Sequence, residues 1–284
     1  PGYYEVMLDD YGVKAQLTAT KRVGVHKYSF ENPNDAHLLI DMQHGIYNYN
    51  GKTLWSYIRV ESPTLITGYT ITNGWAQTKY TYFAMQLSEP ITNYGYRDNE
   101  KVNYNGGHRK FNPTSNFPEM GGRKLVSYFE FEDDGDNVLE ICVSLSPVSA
   151  ENALDNLNSE MKNYMTGNFL DDDAFDEVCK NTKSYWNQML SKIEMNGSDD
   201  QKAMLYTSLY HTMINPSIYD DNNGWIRGID QDVHKKETDF TNYTIFSVWD
   251  TYRAFHPLIN LIDEELSYNI VESFKVHSDQ SPHG

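Results

Sequence analysis

The first half of the chain alternates apolar and polar residues with a period of two, which is typical of half-buried β-strands. Residues 13–20 show the alternation most clearly. Further strands are predicted at residues 4–8, 26–30, 36–40, 57–60, 65–71, 79–87, 124–131 and 138–145. Turn sequences separate them, at residues 9–12, 32–35, 50–51, 73–74 and 133–136. Many short strands with almost no helical pattern between them predict a two-layer antiparallel β-sandwich.

The period changes to that of a helix near Ser149, which is a suitable N-cap residue. The first helix follows it, with Ala153, Leu157 and Met161 at helical spacing. Others are predicted at residues 172–193, at 199–214 with Ser198 as a candidate N-cap, at 246–262 and from 263 onward. Residues 215–243 predict a long irregular loop, and loops of such length in compact domains are usually functional. The predicted organisation is a β-sandwich at residues 1–147, a helical linker at 148–196 and the start of an all-helical domain at 197–284.

Charge and composition exclude several classes of protein. The formal net charge is -17, and no stripe rich in Lys and Arg offsets it, so a nucleic acid is excluded as a partner. The apolar runs are too short to span a bilayer. Cys142 and Cys179 allow either one disulfide or two buried thiols, and exclude a scaffold built on disulfides.

Two polar segments with embedded aromatic residues are candidates for binding chemistry. The first is the loop at residues 220–230, and the second is residues 246–258, which contain Trp249, Asp250 and Arg253. A tryptophan ring can stack on the C–H face of a sugar while a neighbouring carboxylate accepts two hydroxyl groups. Asp250 and Arg253 also have the spacing of an ordinary ion pair on a helix, so the residues alone leave both interpretations open.

Other constellations of reactive residues do not point to a site. Acidic runs at residues 133–136 and 171–173 lie at a predicted turn and a predicted helix start, where Asp is locally favoured, and they lack EF-hand spacing. His108 and His211 have no partner at zinc-ligand spacing. Neither a nucleophilic serine elbow nor a phosphate-binding glycine loop occurs in the sequence.

Several strings, in consistent order from the first residue to about Gln280, resemble glycoside hydrolase family 92. They are Tyr3 to Gly12, Ala15 to Thr20, Leu209 to Met213, Arg227-Gly228-Ile229-Asp230 and Phe246-Ser247-Val248-Trp249-Asp250-Thr251-Tyr252-Arg253. The resemblance implies an N-terminal β-sandwich of the supersandwich type, followed by an (α/α)₆ barrel, with the active site between the two. It also implies an exo-acting, inverting, Ca²⁺-dependent α-mannosidase that releases terminal mannose from mannose-rich N-glycans or mannans.

The same resemblance implies roles for individual residues. Trp249 and Asp250 match positions that hold the terminal mannose. Arg253 belongs to the same motif and is a third candidate for substrate binding, with orientation of Asp250 as the alternative role. The expected partners are α-mannosyl glycans, and the expected location is secreted, periplasmic or at the cell surface.

The sequence departs from the family pattern where the reaction is carried out. Inverting glycosidases need an acid and a base carboxylate, roughly 6.5–9.5 Å apart. The family's Gly-Asn-Glu-Thr-like acid segment and its Asp-containing base loop are both missing, and only three helices are predicted after Gly197. We therefore expect an N-terminal fragment with a truncated barrel, and expect the acid, the base and the calcium ligands downstream of Gly284. The alternatives are a non-catalytic carbohydrate-binding β-sandwich module and another sandwich-plus-(α/α)₆ hydrolase or phosphorylase.

Overall fold

The computed structural model describes residues 1–32, 36–45, 47, 49–98, 118–131, 135, 137–167, 169–171, 173–245 and 247–281. Backbone contacts divide the chain into two compact units: the β unit, Tyr3–Val178, and the helical unit, Cys179–Gly284 with Pro1–Gly2. This division falls inside the segment that the sequence predicts as a helical linker. The predicted boundaries after residues 147 and 196 stay predictions.

The β unit is built on two antiparallel sheets. The larger has eight strands in the order β1-β2-β3-β11-β7-β6-β5-β9, and the smaller has three in the order β4-β10-β8. Their bounds are β1 Tyr4–Leu8, β2 Val13–Ala19, β3 Val23–Phe30, β4 His37–Asp41, β5 Thr53–Ser62, β6 Leu65–Thr72, β7 Lys79–Leu87, β8 Ile91–Asp98, β9 Glu119–Gly122, β10 Leu125–Phe131 and β11 Val138–Ser146. The unit also contains a hairpin of two short strands, β12 Met165–Thr166 and β13 Phe169–Leu170. The predicted antiparallel sandwich is confirmed.

The core of the β unit lies between its two sheets. Ile58, Ile66 and Ile141 come from the large sheet, and Leu125 and Phe129 come from the small one; all five side chains are essentially inaccessible to water. Residues adjacent to these along each strand point to the opposite face, so the alternation read from the sequence follows the burial.

Strands β8 and β9 are absent from the sequence prediction because each contains glycine, which is depleted in strands. Gly95 of β8 pairs with Tyr128 of β10, and a Cβ atom at Gly95 would lie 2.4 Å from the ring of Tyr128. Gly121 of β9 similarly lies against the ring of Trp55. Aromatic rings on neighbouring strands therefore occupy the space that a side chain would need at these two positions. A local sequence pattern does not reveal this constraint.

We expect Gly68→Ala to destabilise the β unit by overpacking. A Cβ atom at this position would lie 2.3 Å from the carbonyl oxygen of Tyr57 and 2.7 Å from the ring of Phe83, and backbone of a paired strand cannot move aside cheaply. The expected loss is about 1–3 kcal/mol of unfolding free energy, measured by chemical denaturation. Gly74→Ala is the matched control, because nothing lies within 4 Å of its Cβ position. Equal stability of the two variants would contradict the prediction.

Helix α1, Ala150–Met161, packs on the large sheet near β11 and β7. Ser149 is its N-cap, as predicted, and its side chain accepts a hydrogen bond from the backbone N–H of Asn152. Asn156 donates to the carbonyl of Leu145 at 3.0 Å, and Glu160 pairs with Arg22 at 3.1 Å. The first helix of the predicted linker therefore belongs to the β unit.

Helix α2, Ala174–Leu190, begins in the β unit and continues into the helical unit. The helical unit also contains α3 Asp199–Thr212, β14 Trp225–Arg227, β15 Val233–Lys235, α4 Val248–Thr251, α5 Phe255–Ile262 and α6 Glu264–Gln280. Ser198 caps α3 with a reciprocal capping box that includes Gln201, which confirms Ser198 as the N-cap. Asp263 caps α6. Within the described residues, no helix has both the length and the apolar character that a membrane span requires.

The prediction of one helix over residues 246–262 is wrong, because the chain forms two helices separated by Tyr252, Arg253 and Ala254. The physical reason is Pro257. In a continuous helix its ring would clash with the carbonyl of Arg253 and one hydrogen bond would be lost. Beginning α5 at Phe255 places Pro257 in the first turn, where its missing N–H has no helical partner in any case. The predicted start at residue 246 lies outside the described residues.

Candidate functional site

The segment predicted as an irregular loop, residues 215–243, is an ordered part of the helical unit. Strands β14 and β15 pair as an antiparallel hairpin within it, and Ile218 bridges to Tyr243 across its base. Ser217 and Thr244 close the same base through hydrogen bonds of 2.9 and 3.1 Å. The sequence prediction is therefore wrong about the irregular conformation of this segment.

A buried ion pair stabilises the interior of this segment. The side chain of Asp220 is 2% exposed and that of Lys236 is 10% exposed, and the Lys236 ammonium donates to the Asp220 carboxylate and to the carbonyl of Phe240. Asp220 also accepts from the backbone N–H of Asn242 at 3.1 Å. Because both charges are buried, their mutual attraction has to offset the free-energy cost of removing each of them from water.

The Arg227-Gly228-Ile229-Asp230 string forms the turn after β14. Arg227 donates to the carbonyl of Gln231 at 2.6 Å, and Asp230 bonds to the ring of His234 at 2.8 Å. Gly228 lies so close to the Asp230 side chain that a Cβ atom would approach it to 2.3 Å. The side chains of Arg227 and Asp230 thus form hydrogen bonds within their own loop, and these bonds help to set its conformation.

Helix α6 supports the segment along its length. Three backbone N–H groups, of Ile229, Thr241 and Tyr243, donate to the side chains of Gln280, Asn269 and Ser273 at 3.2, 3.2 and 3.0 Å. Burial raises the pKa of Tyr243 to about 12, with nearby Tyr185 and Asp220 adding to the shift. These three hydrogen bonds therefore attach the segment that leads into α4 to helix α6.

The three residues predicted to bind a ligand lie on the surface, in α4 or just after it, six to ten positions after Tyr243. Trp249 is 86% exposed, and Asp250 and Arg253 are exposed as well. In the described part of the chain, no ion pair joins Asp250 to Arg253. The Arg253 Nε instead donates to the hydroxyl of Tyr252 at 2.5 Å, and its guanidinium lies 5.3 Å from that ring.

Short polar contacts hold α4 itself. The Thr251 hydroxyl donates to the carbonyl of Ser247 at 3.0 Å and lies 3.1 Å from the ring nitrogen Nε2 of His256. Burial lowers the pKa of His256, which favours the neutral imidazole in this contact. The indole of Trp249 and the carboxylate of Asp250 are thus presented to solvent from a short helix that is tied to the start of α5.

The described residues contain no group of three or more His, Cys, Asp or Glu side chains arranged to hold a metal ion. They therefore do not fit a calcium site. Cys142 and Cys179 are both buried and form no disulfide, so the alternative of two thiols is the observed one. Burial raises the pKa of Cys142 to about 12, with a contribution from Glu140. The predicted loop around His108 and most of the acidic run at 133–136 lie outside the described residues.

Two family models match the chain in order. The glycosyl hydrolase family 92 N-terminal domain matches residues 1–146, and the family's catalytic domain matches residues 152–283. The chain belongs to glycoside hydrolase family 92. A comparison with curated proteins gave no match.

Solved structures of family 92 enzymes have the same fold. The α-mannosidase BT3965 from Bacteroides thetaiotaomicron is 32% identical over 99% of this chain, with a TM-score of 0.85. Its complex with mannoimidazole gives a TM-score of 0.84 at 31% identity over 99% of the chain. The inverting mannosidase BT2199 from Bacteroides thetaiotaomicron VPI-5482 is 25% identical over 98%, with a TM-score of 0.74. This chain spans only 35–36% of the length of these structures.

Sequence reasoning found the exposed residues of α4 but missed the buried pair beneath the preceding loop. Asp220 and Lys236 are separated by 16 positions in a segment without periodicity. A local signal is the apolar Ile226 between Gly224 and Gly228, which is 2% exposed and lies in β14.

Proposed function

We propose that this family 92 chain is the N-terminal part of an exo-acting α-mannosidase that removes terminal mannose from mannose-rich glycans with inversion. The observation that carries the proposal is the match to a mannosidase, BT3965, over 99% of the chain at 32% identity. The mannoimidazole complex of that enzyme supports a mannosyl substrate. By the same family relationship, we propose a location outside the cytoplasm: secreted, periplasmic or at the cell surface.

In this proposal Trp249 and Asp250 grip the terminal sugar. An indole that is 86% exposed can stack on the C–H face of mannose without first leaving a core. The Asp250 carboxylate is exposed and has no ion pair with Arg253 among the described residues, so its oxygens are available to accept two sugar hydroxyls. These charge-assisted hydrogen bonds would fix the orientation of the ring.

The role of Arg253 stays a prediction, and its contact with Tyr252 suggests how it could act. Its Nε donates to the Tyr252 hydroxyl, and this hydrogen bond holds the guanidinium beside that ring. We propose that Arg253 and Tyr252 act together as a positioning pair beside Asp250.

The acid, the base and the calcium ligands are proposed to lie outside this chain. An inverting reaction needs two carboxylates placed on opposite sides of the scissile bond, and the family's segments that carry them do not occur in this sequence. The described residues also contain no group of three or more His, Cys, Asp or Glu side chains arranged to hold a metal ion. Ca²⁺ would supply electrostatic stabilisation when bound in the longer protein.

We expect this chain alone to show no mannosidase turnover, even with added Ca²⁺. Acid and base catalysis act as a unit, so binding residues without them give little rate enhancement. The measurement is mannose release from α-mannosides, with an unrelated protein as the control. Turnover above that control would contradict the placement of the carboxylates.

For the longer polypeptide, NMR should detect β-mannose as the first product, and α-mannose appearing first would contradict inversion.

A further inference from the structure

Asn-Gly dipeptides are places where a polypeptide can modify itself, and the sequence has them at residues 50–51, 73–74, 105–106, 196–197 and 223–224. In such a pair the backbone nitrogen of Gly can attack the side-chain carbonyl of Asn, because glycine has no Cβ atom to obstruct the approach. The reaction needs an Asn side chain and a Gly N–H that are both able to move. Three of the pairs can be compared, because residues 105–106 lie outside the described residues, and so does residue 48 beside the first pair.

The pair Asn196-Gly197 lies in the connection between α2 and α3, outside any helix or strand. Both residues are exposed. Among the described residues, Asn196 forms no hydrogen bond through its backbone or its side chain, and the N–H of Gly197 has no acceptor. The hydrogen bonds of α3 begin only at Ser198, whose backbone N–H donates to the side chain of Gln201 at 3.0 Å. Neither reacting group of this pair is therefore held in place.

The pair Asn73-Gly74 lies in the turn between β6 and β7 and is also exposed, but hydrogen bonds hold it. The N–H of Gly74 donates to the carbonyl of Ala76 at 2.9 Å, and the N–H of Asn73 donates to the carbonyl of Lys52 at 2.7 Å. The Tyr49 hydroxyl donates to the carbonyl of Asn73 at 2.7 Å. The attacking nitrogen can react here only after this turn has opened.

The pair Asn223-Gly224 precedes β14 and has both of its reacting groups in hydrogen bonds. The N–H of Gly224 donates to the carbonyl of Asp221 at 2.8 Å. The side-chain oxygen of Asn223 accepts from the backbone N–H of Trp225 at 3.4 Å, and its backbone carbonyl accepts from the Lys235 ammonium at 2.6 Å. The fold therefore protects this pair as well.

We propose that Asn196 is a site of spontaneous deamidation, and that in the folded chain it reacts ahead of Asn73 and Asn223. The backbone nitrogen of Gly197 forms a bond to the side-chain carbonyl carbon of Asn196, and the bond from that carbon to the amide nitrogen breaks. The amide nitrogen leaves as ammonia and takes the proton of the Gly197 N–H. Water then opens the cyclic imide at either of its carbonyls, which gives aspartate or isoaspartate, with no oxidant or reductant required.

The modification changes the chain immediately before α3. Both products add a carboxylate next to Asp199 and Asp200, which already lie in the first turn of that helix. Isoaspartate also inserts the former side-chain carbon into the backbone ahead of Ser198, the N-cap residue. Charge and chain length at the start of α3 would therefore change as the protein ages.

Incubation of this chain at mildly alkaline pH, followed by digestion and mass spectrometry, measures deamidation at each Asn. In the folded chain we expect Asn196 to react at least about tenfold faster than Asn73 or Asn223. A tenfold difference corresponds to about 1.4 kcal/mol, which is comparable with the net contribution of a single hydrogen bond. In concentrated urea the three residues should react at similar rates, because unfolding removes the hydrogen bonds that protect two of them.

Asn196→Gln should abolish the early mass change, since the longer side chain closes a larger and less favourable ring. The matched control is Asn73→Gln, which alters another exposed Asn-Gly pair and should leave the rate at Asn196 unchanged. Circular dichroism verifies that both variants are folded.

Equal rates at the three residues in the folded chain, or a faster reaction at Asn73 or Asn223, would overturn the proposal. A tenfold difference that persists in urea would overturn it too, because local sequence and not the fold would then account for the order. None of these outcomes depends on mannosidase turnover, so a failure here is distinct from a failure of the proposed function.

Discussion

Lys236→Met is expected to lower the unfolding free energy of the helical unit by about 3–5 kcal/mol, because it leaves the Asp220 carboxylate buried without its cation. Asp220 is 2% exposed at its side chain, so water cannot replace the lost ammonium. The carbonyl of Phe240 would lose its charged donor at the same time. Urea denaturation followed by circular dichroism measures the loss.

The control for this prediction is Lys275→Met. Lys275 pairs with Glu272 at 2.8 Å, but its side chain is 64% exposed, and surface pairs of this kind contribute at most about 1 kcal/mol. Asp220→Asn combined with Lys236→Met removes both charges and should recover part of the stability, since no uncompensated charge then stays buried. A cost for Lys236→Met no greater than that of Lys275→Met would show that the buried pair is not stabilising the loop.

If the longer polypeptide is the α-mannosidase proposed above, Asp250→Ala in it is expected to lower kcat/KM by about a hundredfold or more. Two hydrogen bonds between the carboxylate and sugar hydroxyls would be lost, at about 1.5–3 kcal/mol each, and about 1.4 kcal/mol corresponds to a factor of ten. The melting temperature should change little, because Asp250 is exposed and does not pair with Arg253 in the described residues. Steady-state kinetics on an α-mannoside and thermal unfolding give the two measurements.

Companion variants separate ligand binding from a structural role. Trp249→Ala should cost less than Asp250→Ala, since stacking is less directional than charged hydrogen bonds. Asp239→Ala removes another exposed carboxylate of the helical unit and should leave kcat/KM unchanged. Full activity of Asp250→Asn together with a collapsed melting temperature would assign Asp250 to the structure and not to the substrate.

Local patterns predicted the elements whose formation depends on near neighbours. The caps at Ser149 and Ser198 are confirmed because a hydroxyl reaches N–H groups only three residues away. Strands with clear alternation were found, whereas β8 was missed because Gly95 is selected by Tyr128 of another strand. For the candidate site, Trp249, Asp250 and Arg253 came from a recognisable string, although their roles stay predictions.

By itself, the sequence determined the two periodicities, the order of strands and helices, and the strings that mark family 92. These depend on side chains a few positions apart, so they can be read without coordinates. Only the tertiary structure decided the sheet order and the burial of Asp220 with Lys236. These features join residues that are distant in the chain, 16 positions for Asp220 and Lys236, and long-range register, which no local pattern encodes, sets their proximity.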